Sequence, residues 1–350
     1  MNTPIRVLIV DDSAFICYVV GKHLEDDSGI KVVGSAHNGL EALSQITSLK
    51  PDVVVLDVEM PQMDGLTTLK RIMAEYPTPV IMFSVLTRRG TRTTVQALLA
   101  GAVDFVSKPE AKSAIYGVIE DLITKIKTAA GTTLPRLPST ETIPVAVSTK
   151  LGPQRFQRGD PVVVIGASTG GPRALQEVLS GLPANIPAAI VVVQHMPPGF
   201  TRSLAQRLHE TCPLRVQEAA AGDRLARGLA LLAPGDFHLS FSESGQVQLD
   251  QGPRRHYVRP AVDVTMESAV QYYKSAVIGV ILTGMGSDGT EGAKCIKAAG
   301  GKVIAEHEST SVVYGMPRSV AEAGWVDQVV PRPKIAAKLL EWVNNGSVRV

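Results

Sequence analysis

Three residues whose side chains together can cleave an ester follow apolar runs in the second half of the sequence: Ser168, His195 and Asp288. Ser168 lies on the glycine-flanked turn 166–170, where a serine hydroxyl is exposed between a strand and a helix. A serine hydroxyl becomes nucleophilic when a neutral imidazole takes its proton, and a carboxylate fixes the tautomer of that imidazole. The pattern therefore predicts acyl-transfer chemistry.

The sequence also allows a second assignment of the catalytic triad, with its members in a different chain order. In the order Ser, Asp, His that α/β-hydrolases use, the set is Ser168, Asp263 or Asp288, and His307. His307 follows the apolar run Lys302–Ala305, just as His195 follows another run. Chain order alone therefore does not choose between the two histidines.

A second polar cluster is predicted in the first half of the chain. Asp11 and Asp12 directly follow one apolar run, and Asp57 ends another. Carboxyl ends of parallel strands meet at one edge of a sheet, so three carboxylates converge there, and hard cations such as Mg²⁺ take oxygen ligands of this kind. Ser84 and Lys108 end two further runs. A hydroxyl and an ammonium opposite a metal-bound aspartate suit a phosphorylated Asp57.

The elements that position this cluster repeat regularly over residues 5–127. Short β-branched runs alternate with amphipathic segments, the last of which has apolar residues at helical spacing over 115–126. The runs predicted as strands are Val7–Val10, Lys31–Gly34, Val53–Leu56, Val80–Phe83 and Asp104–Val106. Five β-α repeats predict a doubly wound parallel sheet, with its ligand crevice at the carboxyl ends of the strands.

A second α/β series begins near residue 161. Its predicted strands are Val162–Ile165, Ala189–Val193, Ala276–Leu282 and Lys302–Ile304. Continuous apolar strands of this kind are covered on both faces, which again indicates a parallel sheet. The region 219–250 contains Gly-Asp, Pro-Gly-Asp and Ser-Gly pairs, and we expect it to form antiparallel hairpins inserted in this domain.

The stretch 131–159 separates the two series. It contains Pro135, Pro138, Pro144 and Pro153, many Ser and Thr residues and few large apolar ones. A loop of that length is uncommon inside a compact domain, so it is predicted to be an interdomain linker. The expected domains are therefore 1–130 and 160–350, joined by 131–159.

Composition limits the other classes of function. The net charge is only +2, so a positively charged surface that attracts nucleic acid or membranes is not expected. Aromatic residues make up 5%, so a surface of aromatic rings on which nucleic-acid bases stack is not expected either. Three dispersed cysteines exclude a disulfide framework or a structural zinc site. No apolar run reaches about 18 residues, and the N-terminus lacks a signal-peptide pattern. We expect a cytoplasmic monomer without membrane insertion.

The first half resembles the receiver domain of bacterial two-component response regulators over residues 5 to about 127. The resemblance rests on Asp11, Asp12, Ser84, Lys108-Pro109 and the segment Asp57–Gly65. It implies that Asp57 is the phosphoacceptor and that a histidine kinase is the phosphodonor. It also implies that Mg²⁺ is held by Asp11, Asp12, Asp57 and the backbone carbonyl of Glu59, and that Ser84 and Lys108 sense the phosphoryl group.

The second half is similar to the catalytic domain of protein-glutamate methylesterases from residue 161 to about 345. The similarity rests on the segments Ile165–Pro172, Gln194–Pro197, Ala233–His238, Leu282–Gly289 and Tyr314–Pro317. The family has its triad in the order Ser, His, Asp, which selects Ser168, His195 and Asp288. We expect backbone amides near Thr169 or Met285 to form the oxyanion hole, with no cofactor for the esterase reaction.

Together the two resemblances imply a phosphorylation-activated esterase of chemotaxis adaptation. It would hydrolyse glutamate 5-O-methyl esters on chemoreceptors to glutamate and methanol, and deamidate certain receptor glutamines. One alternative is a phosphorylation-switched binding or transcription module without catalysis, although no basic recognition helix is evident over 161–350. Another is the same chemistry on a receptor-like array outside chemotaxis.

Overall fold

The structure is a computed structural model and describes residues 3–85, 87–108, 116–132, 152, 154–157 and 159–346. The chain divides into two compact units, Met1–Glu141 and Thr142–Val350. Most of the predicted linker 131–159, as well as Pro109 and Ile115, lies outside the described residues. The described helices include none that is long and apolar enough to cross a membrane.

In its described residues, the first unit has five strands alternating with five helices. The strands are β1 (Ile5–Val10), β2 (Ile30–Ala36), β3 (Val53–Asp57), β4 (Val80–Val85) and β5 (Asp104–Lys108). The helices are α1 (Ala14–Glu25), α2 (Gly39–Leu49), α3 (Gly65–Glu75), α4 (Arg88–Leu99) and α5 (Tyr116–Ala130). The first four helices begin after residues whose side chains accept an amide hydrogen bond, namely Ser13, Asn38, Asp64 and Thr87. Such caps satisfy donors that a helix start leaves unpaired.

The second unit is larger and mixes parallel strands with one hairpin. Its strands are β6 (Val162–Ala167), β7 (Ala189–Gln194), β8 (Arg215–Glu218), β9 (Leu229–Leu232), β10 (His238–Phe241), β11 (Val247–Asp250), β12 (Val277–Ile281), β13 (Lys302–Glu306) and β14 (Gln328–Val330). Its helices are α6 (Gly171–Ser180), α7 (Phe200–Thr211), α8 (Val262–Tyr273), α9 (Thr290–Ala298), α10 (Met316–Glu322) and α11 (Arg332–Gly346), with a short 3-10 helix at Lys274–Ala276.

Both main sheets are parallel, as predicted. The first has the strand order β2-β1-β3-β4-β5, and the second has β14-β13-β12-β6-β7-β9-β8. The central strands β6, β7 and β12 are buried along their whole length, because helices cover both faces of such sheets. The sheet edges that carry the candidate site residues are therefore held by rigid, buried strands.

The region 219–250 differs in part from its predicted form. The strands β10 and β11 pair as an antiparallel hairpin. Leu229–Leu232, however, pairs in parallel with β7 and β8 in the main sheet. The reason is its composition: all four residues are apolar and buried, which suits a covered parallel strand rather than a half-exposed hairpin. The short strands β8 and β14 carried too weak an apolar signal to be predicted.

Candidate functional site

The predicted acidic cluster of the first unit is present at the carboxyl edge of its sheet. Carboxylate oxygens of Asp11, Asp12 and Asp57 all lie within 4.8 Å of one another. The Lys108 ammonium contacts Asp11 Oδ2 at 2.6 Å and Asp57 Oδ2 at 2.7 Å. Asp11 and Asp57 are buried, whereas Asp12 is exposed. An all-oxygen donor set of this kind fits a hard divalent cation.

Burial controls the protonation of this cluster. It raises the pKa of Asp57 to about 6, and the nearby charge of Lys108 limits the rise. Burial lowers the pKa of Lys108, but the negative charges of Asp57 and Asp11 raise it. The second effect is larger, so the pKa of the Lys108 ammonium lies above its ordinary value. Lys108 therefore stays charged beside the buried carboxylates and offsets part of their mutual repulsion.

The backbone around Asp57 is held by the start of α3. A Cβ on Gly65 would lie 1.9 Å from the Asp57 carbonyl oxygen, so only glycine allows this approach. The Gly65 amide donates to the Val58 carbonyl at 2.9 Å, and the Val58 amide donates to Asp57 Oδ1 at 2.7 Å. These contacts fix the position and orientation of the Asp57 side chain.

The two remaining predicted residues of this site are Ser84 and Glu59. Ser84 is buried and follows Phe83, the residue of β4 that pairs with Asp57. Glu59 is exposed two residues after Asp57. Ser84 is thus at the sheet edge that carries the carboxylates, and Glu59 lies in the loop that follows β3.

Ser168 of the second unit stands on a tightly bonded turn after β6. Its amide donates to the Thr283 carbonyl at 3.0 Å, and its carbonyl accepts from the Gly171 amide at 2.7 Å. Gly170 has a φ of 75°, a left-handed conformation that favours glycine. The Ser168 amide is therefore already engaged by a backbone acceptor.

His195 lies beside the Ser168 turn because β6 and β7 are neighbours. Ala167 pairs with Gln194, and the His195 amide donates to the Ala167 carbonyl at 3.1 Å. The His195 ring is bonded through Nε2 to Asp288 Oδ2 at 2.8 Å. The hydrogen bonds of these described residues join His195 to Asp288 and not to the Ser168 hydroxyl.

Asp288 is buried, and its carboxylate makes three hydrogen bonds. Besides His195, its carboxylate accepts the Val262 amide at 2.7 Å and the Asp263 amide at 2.9 Å, the first amides of α8. Burial alone would raise the pKa of Asp288, but the hydrogen bonds and charge of His195 and the two amides lower it below its ordinary value. One carboxylate therefore both caps a helix and orients a histidine.

The alternative set, with His307, is not assembled in the structure. The His307 ring is exposed, and its Nδ1 is bonded to Ser309 Oγ at 2.9 Å. Asp263 is completely buried and bonds to His256 Nε2 at 2.8 Å, while its other oxygen accepts amides of Gly289 and Gly292. Asp263 thus caps α9 and contacts a third histidine, which leaves His195 and Asp288 beside Ser168.

The loop that carries Met285 packs directly on Ser168. A Cβ on Gly284 would lie 2.7 Å from Ser168 Cβ and 3.1 Å from the Ser168 amide nitrogen. Met285 follows at once and its side chain is half exposed. Thr169 is nearly buried, and its carbonyl accepts the Thr283 hydroxyl at 3.0 Å. Both predicted oxyanion positions therefore adjoin Ser168.

A supporting network behind Ser168 escaped the sequence analysis. Gln194 Nε2 donates to the Ser168 carbonyl at 2.9 Å. The Thr283 amide donates to the buried Glu306 carboxylate at 2.8 Å, and Glu306 in turn pairs with the buried Arg332 at 3.3 Å. Gln194 and Glu306 are polar residues at the ends of buried apolar strands. That position in the sequence was the signal that could have predicted a supporting role.

The fold and these two sheet edges define a class of protein in which a receiver-type α/β domain precedes a catalytic α/β domain. Matches to two protein families agree with this arrangement of domains. The CheB methylesterase family matches residues 163–339, and the response regulator receiver domain matches residues 7–120.

Relatives and a solved structure extend this match to the whole chain. The protein-glutamate methylesterase/protein-glutamine glutaminase of Symbiobacterium thermophilum is 49% identical over 359 residues, covering 99% of each chain. The protein of the same name from Thermotoga maritima is 47% identical over 350 residues, covering 97% of this chain and 98% of its own. The crystal structure of the Thermotoga maritima CheB methylesterase catalytic domain is 54% identical with a TM-score of 0.51, covering 52% of this chain and 98% of that chain. The chain belongs to the CheB methylesterase family.

Proposed function

We propose that this chain is a phosphorylation-activated esterase that hydrolyses glutamate 5-O-methyl esters on chemoreceptors to glutamate and methanol. The observation that carries the proposal is the 2.8 Å hydrogen bond between buried Asp288 and His195, beside the Ser168 turn. The names of the full-length relatives support this reaction and a second one, deamidation of receptor glutamines. Deamidation is the same acyl transfer with ammonia as the leaving group.

The catalytic roles follow from the bonding of each side chain. Nε2 of His195 is bonded to Asp288, so Nδ1 is the nitrogen left to take the Ser168 proton, and we expect that contact to tighten when substrate binds. Ser168 Oγ then attacks the ester carbonyl carbon, and the buried carboxylate stabilises the imidazolium that forms.

Two acyl transfers complete the cycle. The ester C–O bond breaks, methanol leaves with the proton from His195, and a glutamyl ester of Ser168 remains. Water then attacks that ester and gives a proton to His195, and the release of glutamate restores the Ser168 hydroxyl. Amides near Thr169 or Met285 are the proposed oxyanion donors, each contributing about 3 kcal/mol of transition-state stabilisation.

For the first unit we propose that Asp57 is the phosphoacceptor and a histidine kinase the phosphodonor. Asp11, Asp12, Asp57 and the Glu59 carbonyl would hold Mg²⁺, which when bound neutralises charge on the transferring phosphoryl group. Ser84 and Lys108 would contact that group. The close packing of Asp11, Asp57 and Lys108 supports this assignment.

The domain boundaries also remain a proposal: a receiver at 1–130, a linker at 131–159 and a catalytic domain at 160–350. The two compact units, which divide between residues 141 and 142, support a division inside the proposed linker.

The function is tested by methanol release. Membranes that carry receptors with radiolabelled methyl esters are incubated with the protein, and volatile label is counted. The wild type should release it, and Ser168→Ala should not. Absence of release by the wild type, under conditions where it hydrolyses a small ester, would show a different protein substrate. Identification of the demethylated protein in host membranes then separates chemoreceptors from another receptor-like array.

The phosphoacceptor is tested by labelling. With Mg²⁺ and a labelled phosphodonor, the wild type should incorporate phosphate and Asp57→Asn should not, because Asp57 is the proposed phosphoacceptor. Asp11 is also buried and contacts Lys108, so the loss of labelling must follow the substitution of Asp57 itself. Hydrolysis of a small ester by unphosphorylated Asp57→Asn should equal that of the wild type. Labelling that persists in Asp57→Asn would overturn the assignment.

A further inference from the structure

A strained turn stands next to the catalytic carboxylate and has no part in the reaction described above. The turn 255–258 is closed by two backbone hydrogen bonds between Arg255 and Val258, of 3.2 and 3.0 Å. Its central residues, His256 and Tyr257, have φ values of 52° and 63°. Two consecutive left-handed residues are typical of a type I′ turn, where Asn and Gly are usual. Neither central residue here is Asn or Gly, and strain of this kind is concentrated at functional sites.

The turn is tied directly to the active site. His256 Nε2 contacts Asp263 Oδ2 at 2.8 Å, and the Asp263 amide donates to Asp288 Oδ1 at 2.9 Å. A ring nitrogen of His256 and a carboxylate oxygen from each of Asp263 and Asp288 lie within 4.8 Å of one another. Arg255 makes two hydrogen bonds, of 2.7 and 2.8 Å, to Glu267, which lies one turn after Asp263 on α8. His256 and Arg255 thus hold the turn rigidly beside the residue that orients His195.

The residue that this rigid turn displays is Tyr257. Its side chain is 94% exposed, more than any other large hydrophobic residue in the described part of the chain. Met285, which adjoins Ser168, is 50% exposed. Tyrosine at a fixed position offers a large apolar surface at a small entropic cost, and Tyr and Arg are enriched among the residues that dominate protein–protein binding.

The charge of the same segment is one-sided. Residues 251–260 include Arg254, Arg255 and Arg259 and no carboxylate. Arg255 is paired with Glu267 and Arg259 with Asp236, so Arg254 is the most exposed of the three. Arg254 contacts Asp236 at 3.4 Å yet keeps more than half of its side-chain surface exposed. Each methyl ester that is hydrolysed becomes a glutamate carboxylate, so the reaction leaves anionic groups on the substrate surface. The exposed part of Arg254 is complementary in charge to such a surface.

We propose that the turn 255–258 is the element that recognises the protein substrate. Tyr257 packs its ring on the receptor surface next to the esterified glutamate, and Arg254 pairs with a neighbouring carboxylate of the receptor. The inference rests on the proposed function and adds to it a determinant of specificity: a small ester, which has no such surface, makes neither contact.

The test compares two substrates in the full-length, unphosphorylated protein. One is receptor membranes with radiolabelled methyl esters, and the other is p-nitrophenyl acetate. For Tyr257→Ala the ratio of kcat/KM on the receptor to that on p-nitrophenyl acetate should fall about tenfold or more, mostly through KM, as expected for loss of an anchoring aromatic. Tyr257→Phe, which keeps the ring, should retain most of the ratio. Tyr18→Ala removes another exposed tyrosine, from the first unit, and should leave both rates at wild-type values.

Tyr257→Gly separates recognition from folding. Glycine adopts a positive φ without strain, so this variant should be at least as thermally stable as the wild type, yet it should lose the receptor preference as Tyr257→Ala does. Equal ratios in the wild type and in both variants would overturn the proposal, as would a parallel loss on both substrates. Failure of the proposed function gives a different result: the wild type itself would release no methanol from receptor membranes.

Discussion

At the scale of single residues, the roles of two histidines can be separated by substitution. Ser168→Ala should lose roughly four to six orders of magnitude in turnover, and His195→Ala a similar amount, with little further loss in the double variant, because the residues act as one unit. His307→Ala should stay within a few-fold of the wild type, since its ring is exposed and bonds, among the described residues, to the Ser309 side chain and amide. The measurement is hydrolysis of a small ester.

The opposite pattern would reverse the assignment. An inactive His307→Ala together with an active His195→Ala would show that the order Ser, Asp, His applies. Thermal unfolding of each variant is the control, because the loss must occur in a folded protein.

A second prediction at this scale concerns Asp288 and acid. Its pKa is lower in the folded chain than the ordinary value of 3.8, so the unfolded chain binds the extra proton first as the pH falls. The stabilisation from its hydrogen bonds is therefore fully present above about pH 4 and is lost as the pH falls through the folded-state pKa. Asp288→Asn should be less stable than the wild type at neutral pH, and the difference should shrink below pH 4.

Tryptophan fluorescence can follow this unfolding. Both tryptophans, Trp325 and Trp342, belong to the second unit, so the signal reports the unit that contains Asp288. Glu308→Gln, which removes an exposed carboxylate of the same unit, is the matched control and should show no such convergence. A stability difference that stays constant from pH 7 to pH 3 would contradict the prediction.

At the scale of elements, the start of α3 determines the geometry of the acidic cluster. Gly65→Ala would place a Cβ 1.9 Å from the Asp57 carbonyl oxygen, against backbone that is held on both sides. We expect it to cost about 3 kcal/mol or more, as severe overpacking does, and to slow phosphorylation of Asp57. Hydrogen exchange of the first unit in the full chain measures the stability, and phosphodonor labelling measures the rate.

Gly117→Ala provides the matched control for that experiment. Gly117 lies in α5, and a Cβ there would meet nothing within 4 Å. Alanine in a helix is favoured over glycine by about 0.5–1 kcal/mol, so this variant should be slightly more stable and be phosphorylated normally. Equal effects of the two substitutions would show that the close approach at Gly65 is unimportant.

At the scale of the whole molecule, the two units should be coupled through phosphorylation. A phosphodonor such as acetyl phosphate, with Mg²⁺, should raise the esterase rate of the full chain about 5–150-fold, the range of ordinary allosteric couplings. Asp57→Asn should not respond. The separate segment 160–350 lacks the phosphoacceptor, so its rate should also be independent of the phosphodonor. Stimulation of that segment would place the effect outside the first unit.

The sequence by itself determined the class of both domains and the candidate residues at their sheet edges. Buried parallel strands are continuous apolar runs, and their carboxyl ends must meet at one edge, so Asp11, Asp57 and Lys108 could be brought together without coordinates. The same reasoning placed Ser168 and His195 on neighbouring loops, which the pairing of Ala167 with Gln194 bears out.

The tertiary structure decided what spacing could not. Asp263 and Asp288 are both buried aspartates near helix starts, and only their hydrogen bonds show that Asp288 contacts His195 whereas Asp263 contacts His256. Residues 229–232 joined the main sheet because their apolar faces had to be covered, which local turn residues did not indicate. The support of Thr283 by Glu306 and Arg332 joins distant segments. Local sequence encodes periodicity and turns, but the partner of a buried polar group is chosen by packing between segments far apart in the chain.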